Sequence, residues 1–404
     1  MKTKLYLLLL FIASSAMAAC GSDSDDPVKE KYISSVEVMN KERGEIEIDN
    51  FSRTIKIELV KWQDYSDVRL KIGLEKGVSM YSPESEEASY DLRESGTLTL
   101  MYKKHPVTFQ IQVVQIDEPL DTYKGWPQSA DFGSLPQGLK VYKSPETLQG
   151  QNAIAYIAVA DMSKISFEVL GESGYKTPSQ FYQAGGQPIV INAGYFWAGE
   201  TVSLIGKEGQ IVKTNGYVYS GGDVYYPTRG VFGQMNDNTF RTDWVFTVAS
   251  PFTTNTYAYP APYETAANVA PTPANPAGAW PYEARTAIGG GPVLVKGGVY
   301  KNTWEEELFG PSSGIGATAR HPRTAIGYTA DNKLILFVCE GRNMTPDVPG
   351  FTLEETAKIL LDLGCVEALN LDGGGSTCML VNGLETIKPS DGTQRQVVTA
   401  IGLQ

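Results

Sequence analysis

Between Tyr32 and Ile116 apolar and polar residues alternate in short runs, among them "SVEVMN", "EIEID", "TIKIELV", "VRLKIGLE", "TLTLMYK" and "VTFQIQVVQI". Period-two alternation broken by Gly, Asn, Pro and Ser is the pattern of half-buried antiparallel strands. Six or seven such runs at regular spacing predict a small all-β sandwich of immunoglobulin-like type over residues 30–117. No chemistry is legible in it. Its one histidine, His105, stands beside a proline between two runs and is expected in a loop.

The pattern then changes. Residues 118–138 are rich in Pro, Gly, Asp and Ser without periodicity and read as a linker. From 139 to 404 apolar strands recur, including "AIAYIAVA", "KISFEVL", "PIVINAGYF", "GPVLVKGG", "KLILFVCEG" and "EALNLDGG". With few convincing helices among them, they predict an α+β domain on a mixed sheet. The clearest helix is "TLEETAKILLDLG": Thr352 and Glu355 form a capping-box pair, Leu353, Ala357, Leu360 and Leu361 share a face, and Gly364 ends it. Between Ser250 and Ala284 a Pro-, Ala-, Asn- and Tyr-rich stretch reads as a long loop whose tyrosines and Trp280 could stack on sugar rings.

The 404 residues exceed one ordinary core and suit two domains. The net charge of −12 comes without a dense Lys/Arg block past the leader, which excludes a nucleic-acid partner. An anionic ligand must therefore be met by a few local arginines. Residues 1–19 have the order of a signal peptide, and the "AMAAC" that follows its apolar run resembles a bacterial lipoprotein signal, with Met17 where leucine is usual. Lipidation at Cys20 would give a membrane partner and a lipid-anchored, cell-envelope location, periplasmic or surface-exposed; plain secretion is the alternative. Cys339, Cys365 and Cys378 are too few for a disulfide framework, although one bridge, Cys339 with Cys365, and free buried thiols both fit.

The second domain holds a single histidine, His321, and no H-E-x-x-H, G-x-S-x-G or Walker sequence. Its acids and bases are then expected to be carboxylates. The strongest candidate is "EALNLDGGGST", in which an apolar strand delivers Asn370 and Asp372 two residues apart, to one face. Gly373, Gly374 and Gly375 allow a turn whose N–H groups could hold an anion, and Ser376 and Thr377 add hydroxyls. "VINAGYFW" ends a second buried strand at Asn192, and "LILFVCEGR" ends a third at Glu340 and Arg342. For Asn192 a turn with an Asx hydrogen bond is an equal reading, and for Glu340 and Arg342 an ordinary polar strand end is.

One further oddity is a repeated strand. "RTAIG" occurs at 285–289 and 323–327, and "VTAIG" at 398–402. The β-branched and small residues suit a crowded sheet. Taken in order, "VINAGYF", "GGPVLVKGG", "RTAIG", the acid–Gly strand end, the helix, "NLDGGGST" and "RQV" resemble the phosphodiester glycosidase family over about 139–404. Ala193 departs from it, standing where a second glycine is commoner. The resemblance implies a sugar-phosphodiester glycan as substrate, cleaved at C1–O to free sugar and phosphomonoester. It implies Asp372, then Glu340, as catalytic carboxylates, and Arg323 and Arg395 on the phosphate, with Asn192, Thr324, Arg342, Asn370, Gly373 to Gly375, Ser376 and Thr377 around the substrate. Arg285 is expected in a structural ion pair. No cofactor is required. Two alternatives stay open: a non-catalytic glycan-binding lipoprotein, and a phosphodiesterase in which Glu340 and Asp372 hold a divalent cation.

Overall fold

The computed structural model describes residues 29–41, 43–117, 122–249, 254–263 and 266–404; the leader and Cys20 lie outside them. The chain divides into two compact units between Asp117 and Glu118.

In the first unit the predicted alternation appears directly as burial. Ile55, Ile57 and Leu59 point inward from the strand Thr54–Val60 while Lys56 stays exposed. A three-stranded and a five-stranded sheet contribute to one core, with Val68, Leu70 and Ile72 from the first and Leu98, Leu100, Phe109 and Ile111 from the second. Thr54–Val60 runs parallel to His105–Ile116. His105 opens that strand instead of sitting in a loop.

The second unit is mostly β. Two seven-stranded sheets and one five-stranded sheet all supply side chains to a central core, for example Val338 and Leu369, Ile288 and Phe232, and Ile191 and Ile401. Within these sheets the strand pairings are antiparallel, so the mixed sheet expected from the sequence does not form. Helices are few. Besides α1 (Pro178–Gly185) there is α2 (Leu353–Asp362), which packs on the outer face of one seven-stranded sheet. The α2 N-terminus has the predicted capping box between Thr352 and Glu355, its buried face includes Leu353, Ala357 and Leu360, and Gly364 follows its end at φ +85°.

Three further expectations change. Residues 122–138 belong to the second unit and do not form a free linker: Trp126 is buried edge-on against Phe337, and Ser129 N–H bonds to the Val141 carbonyl. The stretch after Ser250 contains a strand, Thr254–Tyr259, paired to Phe240–Ala249. The three cysteines are free and buried. A Cys339–Cys365 bridge is geometrically excluded, because both residues pair with the strand Arg323–Thr329 but at opposite ends, Cys339 beside Arg323 and Cys365 beside Thr329. At ~3.3 Å per residue the separation is roughly 20 Å, against under about 7 Å for a disulfide. Among the described residues no helix is long and apolar enough to cross a membrane.

Candidate active site

Three strand ends meet at one place. The strand Ile189–Asn192 of the five-stranded sheet stops beside the strands Arg323–Thr329 and Cys365–Asn370 of a seven-stranded sheet. Asn192 joins them. It is fully buried, donates from Nδ2 to the main-chain carbonyl of Asp372 (2.5 Å), and accepts from Thr324 Oγ1 (2.9 Å) and Cys378 N–H (3.1 Å). Asp372 N–H in turn bonds to the Ala193 carbonyl (2.9 Å). The Asp372 backbone is thus held on both sides before its side chain makes any contact.

The Asp372 carboxyl is only partly exposed, and the packing around it pushes its pKa up to about 6. Hydrogen bonds from Ser376 and Gly373 N–H and the charge of Arg395 pull the other way but do not cancel the desolvation. A carboxyl poised there exchanges protons near neutral pH, as a general base or acid must.

Asn370 serves the neighbouring wall. Its Nδ2 meets the Tyr195 hydroxyl (2.9 Å) and the Gly291 carbonyl (3.1 Å), and Tyr195 itself donates to Gly291 O (2.7 Å). Burial and the nearby Asp372 charge push the Tyr195 hydroxyl far up, so it stays protonated. Asn370 Oδ1 and Thr377 Oγ1 are buried without a partner among the described residues. Buried polar atoms left unpaired are costly and uncommon, and these two adjoin the same turn.

The glycine turn differs from the expected anion nest. Gly374 does occupy the left-handed region (φ +59°). However, the N–H groups of Gly374, Ser376 and Thr377 bond to the carbonyls of Pro322, Gly373 and Gly374, and that of Gly373 turns to the Asp372 carboxyl. Positive charge at the turn comes from side chains instead. A Cβ on Gly375 would collide with the Arg395 guanidinium, and one on Gly374 would lie 2.8 Å from Arg342 Nη2. Arg395 pairs with Asp391 (2.6 Å) and reaches Ser376 Oγ (3.4 Å), while Arg342 lies 3.9 Å from the other Asp391 oxygen. Both arginine side chains remain about 40% exposed, at 41% and 42%.

Arg323 is not one of these cations. Strand alternation turns it away from Thr324, toward the α2 side of the sheet, where its guanidinium donates to the carbonyls of Phe351, Ile315, Gly316 and Ala319 at 2.7–2.8 Å. It is 2% exposed, burial lowers its pKa to about 10, and its donors are engaged on main chain. A shared phosphate site with Arg395 is therefore overturned, and Arg342 stands where Arg323 was expected. His321 accepts from Arg342 Nε at Nδ1 (3.5 Å), and burial with two neighbouring arginines depresses its pKa.

Glu340 is buried in a different setting. Oε1 accepts from Lys388 N–H (3.0 Å) and Oε2 has no partner among the described residues. No described hydrogen bond connects it to Asp372, and among the described residues no group of three or more His, Cys, Asp or Glu side chains is placed to hold a metal ion. Arg285 makes no ion pair among the described residues; it lines a separate cleft of about 730 Å³ with Lys207, Glu168 and Glu208.

Sequence reasoning missed Tyr195, Asp391 and Arg229. Tyr195 stood inside the quoted "NAGYF" and its place just past a buried strand end was the available signal. Asp391 and Arg229 belong to no motif, and only the fold brings them to the turn and to the Tyr195 wall.

A carboxyl with a raised pKa at the end of antiparallel sheets, flanked by arginines and an amide–phenol wall, is the candidate site. The chain matches the phosphodiester glycosidase family over residues 185–404, more than half its length, and belongs to that family. It is 40% identical over 86 residues to human N-acetylglucosamine-1-phosphodiester alpha-N-acetylglucosaminidase, covering 20% of this chain and 16% of that protein. It is 37% identical over 82 residues to the SPbeta prophage-derived uncharacterized protein YomE of Bacillus subtilis, covering 20% of this chain and 12% of that protein. The matched stretches thus span well under two thirds of these relatives. Among solved structures it is similar to the zebrafish N-acetylglucosamine-1-phosphodiester alpha-N-acetylglucosaminidase catalytic domain, described as auto-inhibited by its pro-peptide. That match has 20% identity and a TM-score of 0.46, covering 69% of this chain and 87% of that one.

Proposed function

We propose that this protein hydrolyses sugar-1-phosphodiesters, breaking the bond between the anomeric carbon and the phosphate oxygen. The observation that carries the reading is Asp372, a carboxyl with a pKa of about 6 set between the Arg342–Asp391–Arg395 cluster and the Asn370–Tyr195 wall. The leaving phosphomonoester has a second pKa of about 6 and needs little protonation. Arg342 and Arg395 stabilise the charge it gains, and Asp372 in its ionised form takes the proton of the attacking water. Glu340, with one buried oxygen unpartnered, serves as the second carboxylate.

The name of the human relative supports N-acetylglucosamine as the glycone. A lipid on Cys20, which lies outside the described residues, would hold the protein at the cell envelope within reach of a surface glycan. Incubation with α-GlcNAc-1-phospho-6-mannose should release free N-acetylglucosamine and mannose 6-phosphate, separated by mass. Specific binding of this and related diesters without turnover would replace the reading with a glycan-binding one.

A further inference from the structure

Arg229 begins the strand Arg229–Met235, and its guanidinium lies 3.8 Å above the Phe309 ring. Phe309 packs on Tyr195 with ring centroids 5.5 Å apart, so the cation is held against the wall that Tyr195 and Asn370 form beside Asp372. Stacking on an aromatic face fixes its plane.

A guanidinium carries five N–H donors. Among the described residues its Nε is buried without a partner, and its one hydrogen bond, from Nη2 to the Leu308 carbonyl, is long at 3.5 Å. The carboxylate whose charge acts on it, Glu307, does not take up the others. Glu307 is fully buried and its two oxygens accept from Val293 N–H, Trp244 Nε1, Thr303 Oγ1 and Gly230 N–H. No ion pair joins it to Arg229 among the described residues. A half-buried cation with open donors is costly unless something else accepts from them. Arg229 has no described contact with the glycine turn or Asp391, where the phosphate is proposed to bind. It adjoins the site through Phe309 and Tyr195, on the wall away from that turn.

We infer that Arg229 reads the glycone: from the Phe309–Tyr195 wall it donates to a carbonyl-type oxygen carried by the sugar, an acetamido C=O or a uronate carboxylate. This rests on the proposed reaction for placing the anomeric carbon at Asp372.

The test is binding, measured by calorimetry on the full chain, so that it does not depend on turnover. The probes are the methyl glycosides of N-acetylglucosamine, glucuronate and glucose, with mannose 6-phosphate for the phosphate side. The unmodified protein should bind one of the first two at least about 10-fold more tightly than methyl glucoside, which identifies the acceptor as amide or carboxylate. Arg229→Gln should erase that preference and leave the mannose 6-phosphate affinity unchanged; Arg229→Lys, which keeps the charge but loses the planar fork, should erase most of it. Equal binding of all three glycosides, no measurable binding of any, or parallel loss of mannose 6-phosphate in both variants would overturn the assignment. If the diester is not hydrolysed but the preference depends on Arg229, the reaction fails and this inference stands.

Discussion

Asn192 donates to the main-chain carbonyl of Asp372 across 180 residues of sequence, at 2.5 Å. The same carboxamide accepts from Thr324 and Cys378, so one side chain ties the five-stranded sheet to the seven-stranded sheet where the Asp372 carboxyl emerges. Asn192→Ala would leave the Cys378 N–H and the Asp372 carbonyl without these partners. Loss of about 2–4 kcal/mol in urea unfolding is expected, with kcat falling more than KM rises because the carboxyl is misplaced. Asn192→Asp should be no better, since a carboxylate cannot donate to the Asp372 carbonyl. A fully active, equally stable Asn192→Asp would remove the clamp from the account.

Asp372→Asn should abolish hydrolysis while melting cooperatively. The pH dependence has a definite sign. Burial raises the folded-state pKa from 3.8 to about 6, so the carboxyl's stability contribution is fully present below about pH 4 and is lost as pH rises through 6. Asp372→Asn is therefore expected to melt above the unmodified protein at pH 7.5, by on the order of 1–2 kcal/mol once its partial exposure is allowed for, and to lose that advantage toward pH 4. Activity moves oppositely: the ionised base is needed, so kcat should fall below about pH 6. An acid limb near pH 4 with no stability gain at pH 7.5 would show an ordinary exposed aspartate.

The sequence carried the Asp372 turn because its information is local: a buried strand, an acid, three glycines and two hydroxyls within eleven residues. It also carried α2 and the strand runs of the first unit, where period and caps are written in adjacent letters. It misled on Arg323, since "RTAIG" does not say which face of the sheet its arginine takes. The face follows from Thr324 pointing to Asn192, a residue 132 positions away. Arg229 and Asp391 were illegible for the same reason: what brings them to the site is long-range sheet pairing and loop packing, not a local pattern. The scarcity of helices was legible, since few stretches besides "TLEETAKILLDLG" combined caps with a helical period, whereas the antiparallel pairing of the strands joined partners far apart along the chain.

Arg323 and the arginines at the turn should separate cleanly on mutation. Arg323→Met leaves the buried carbonyls of Phe351, Ile315, Gly316 and Ala319 without their donor, and unfolding free energy should drop by about 3–5 kcal/mol. Arg342→Ala and Arg395→Ala, both at half-exposed sites, should keep the melting temperature within a few degrees and weaken mannose 6-phosphate binding about 10-fold each. If Arg323→Met proved stable but unable to bind the phosphomonoester, the phosphate would have to be moved back to Arg323.

The bond that breaks can be read from where the oxygen of water ends up. Two arginines sharing one aspartate gather cationic side chains at the glycine turn, suited to a phosphate leaving as a dianion. Attack at phosphorus would instead expel a sugar hydroxyl, whose high pKa demands a proton donor or a cation on the departing oxygen, and the N–H groups of Gly374, Ser376 and Thr377 are already engaged on carbonyls. Attack at carbon needs only a base for water, the role proposed for Asp372. Hydrolysis in ¹⁸O-labelled water should therefore place the label on C1 of the released sugar, read by mass before anomeric exchange, and leave the phosphomonoester unlabelled. With Arg395→Ala the cleavage should slow most for diesters with poor leaving groups and least for an activated aryl phosphate, because the arginine acts on charge developing at the phosphate oxygen. Label in the phosphate would reassign Asp372 from activating water at carbon to a role in attack at phosphorus, even with the substrate identified correctly.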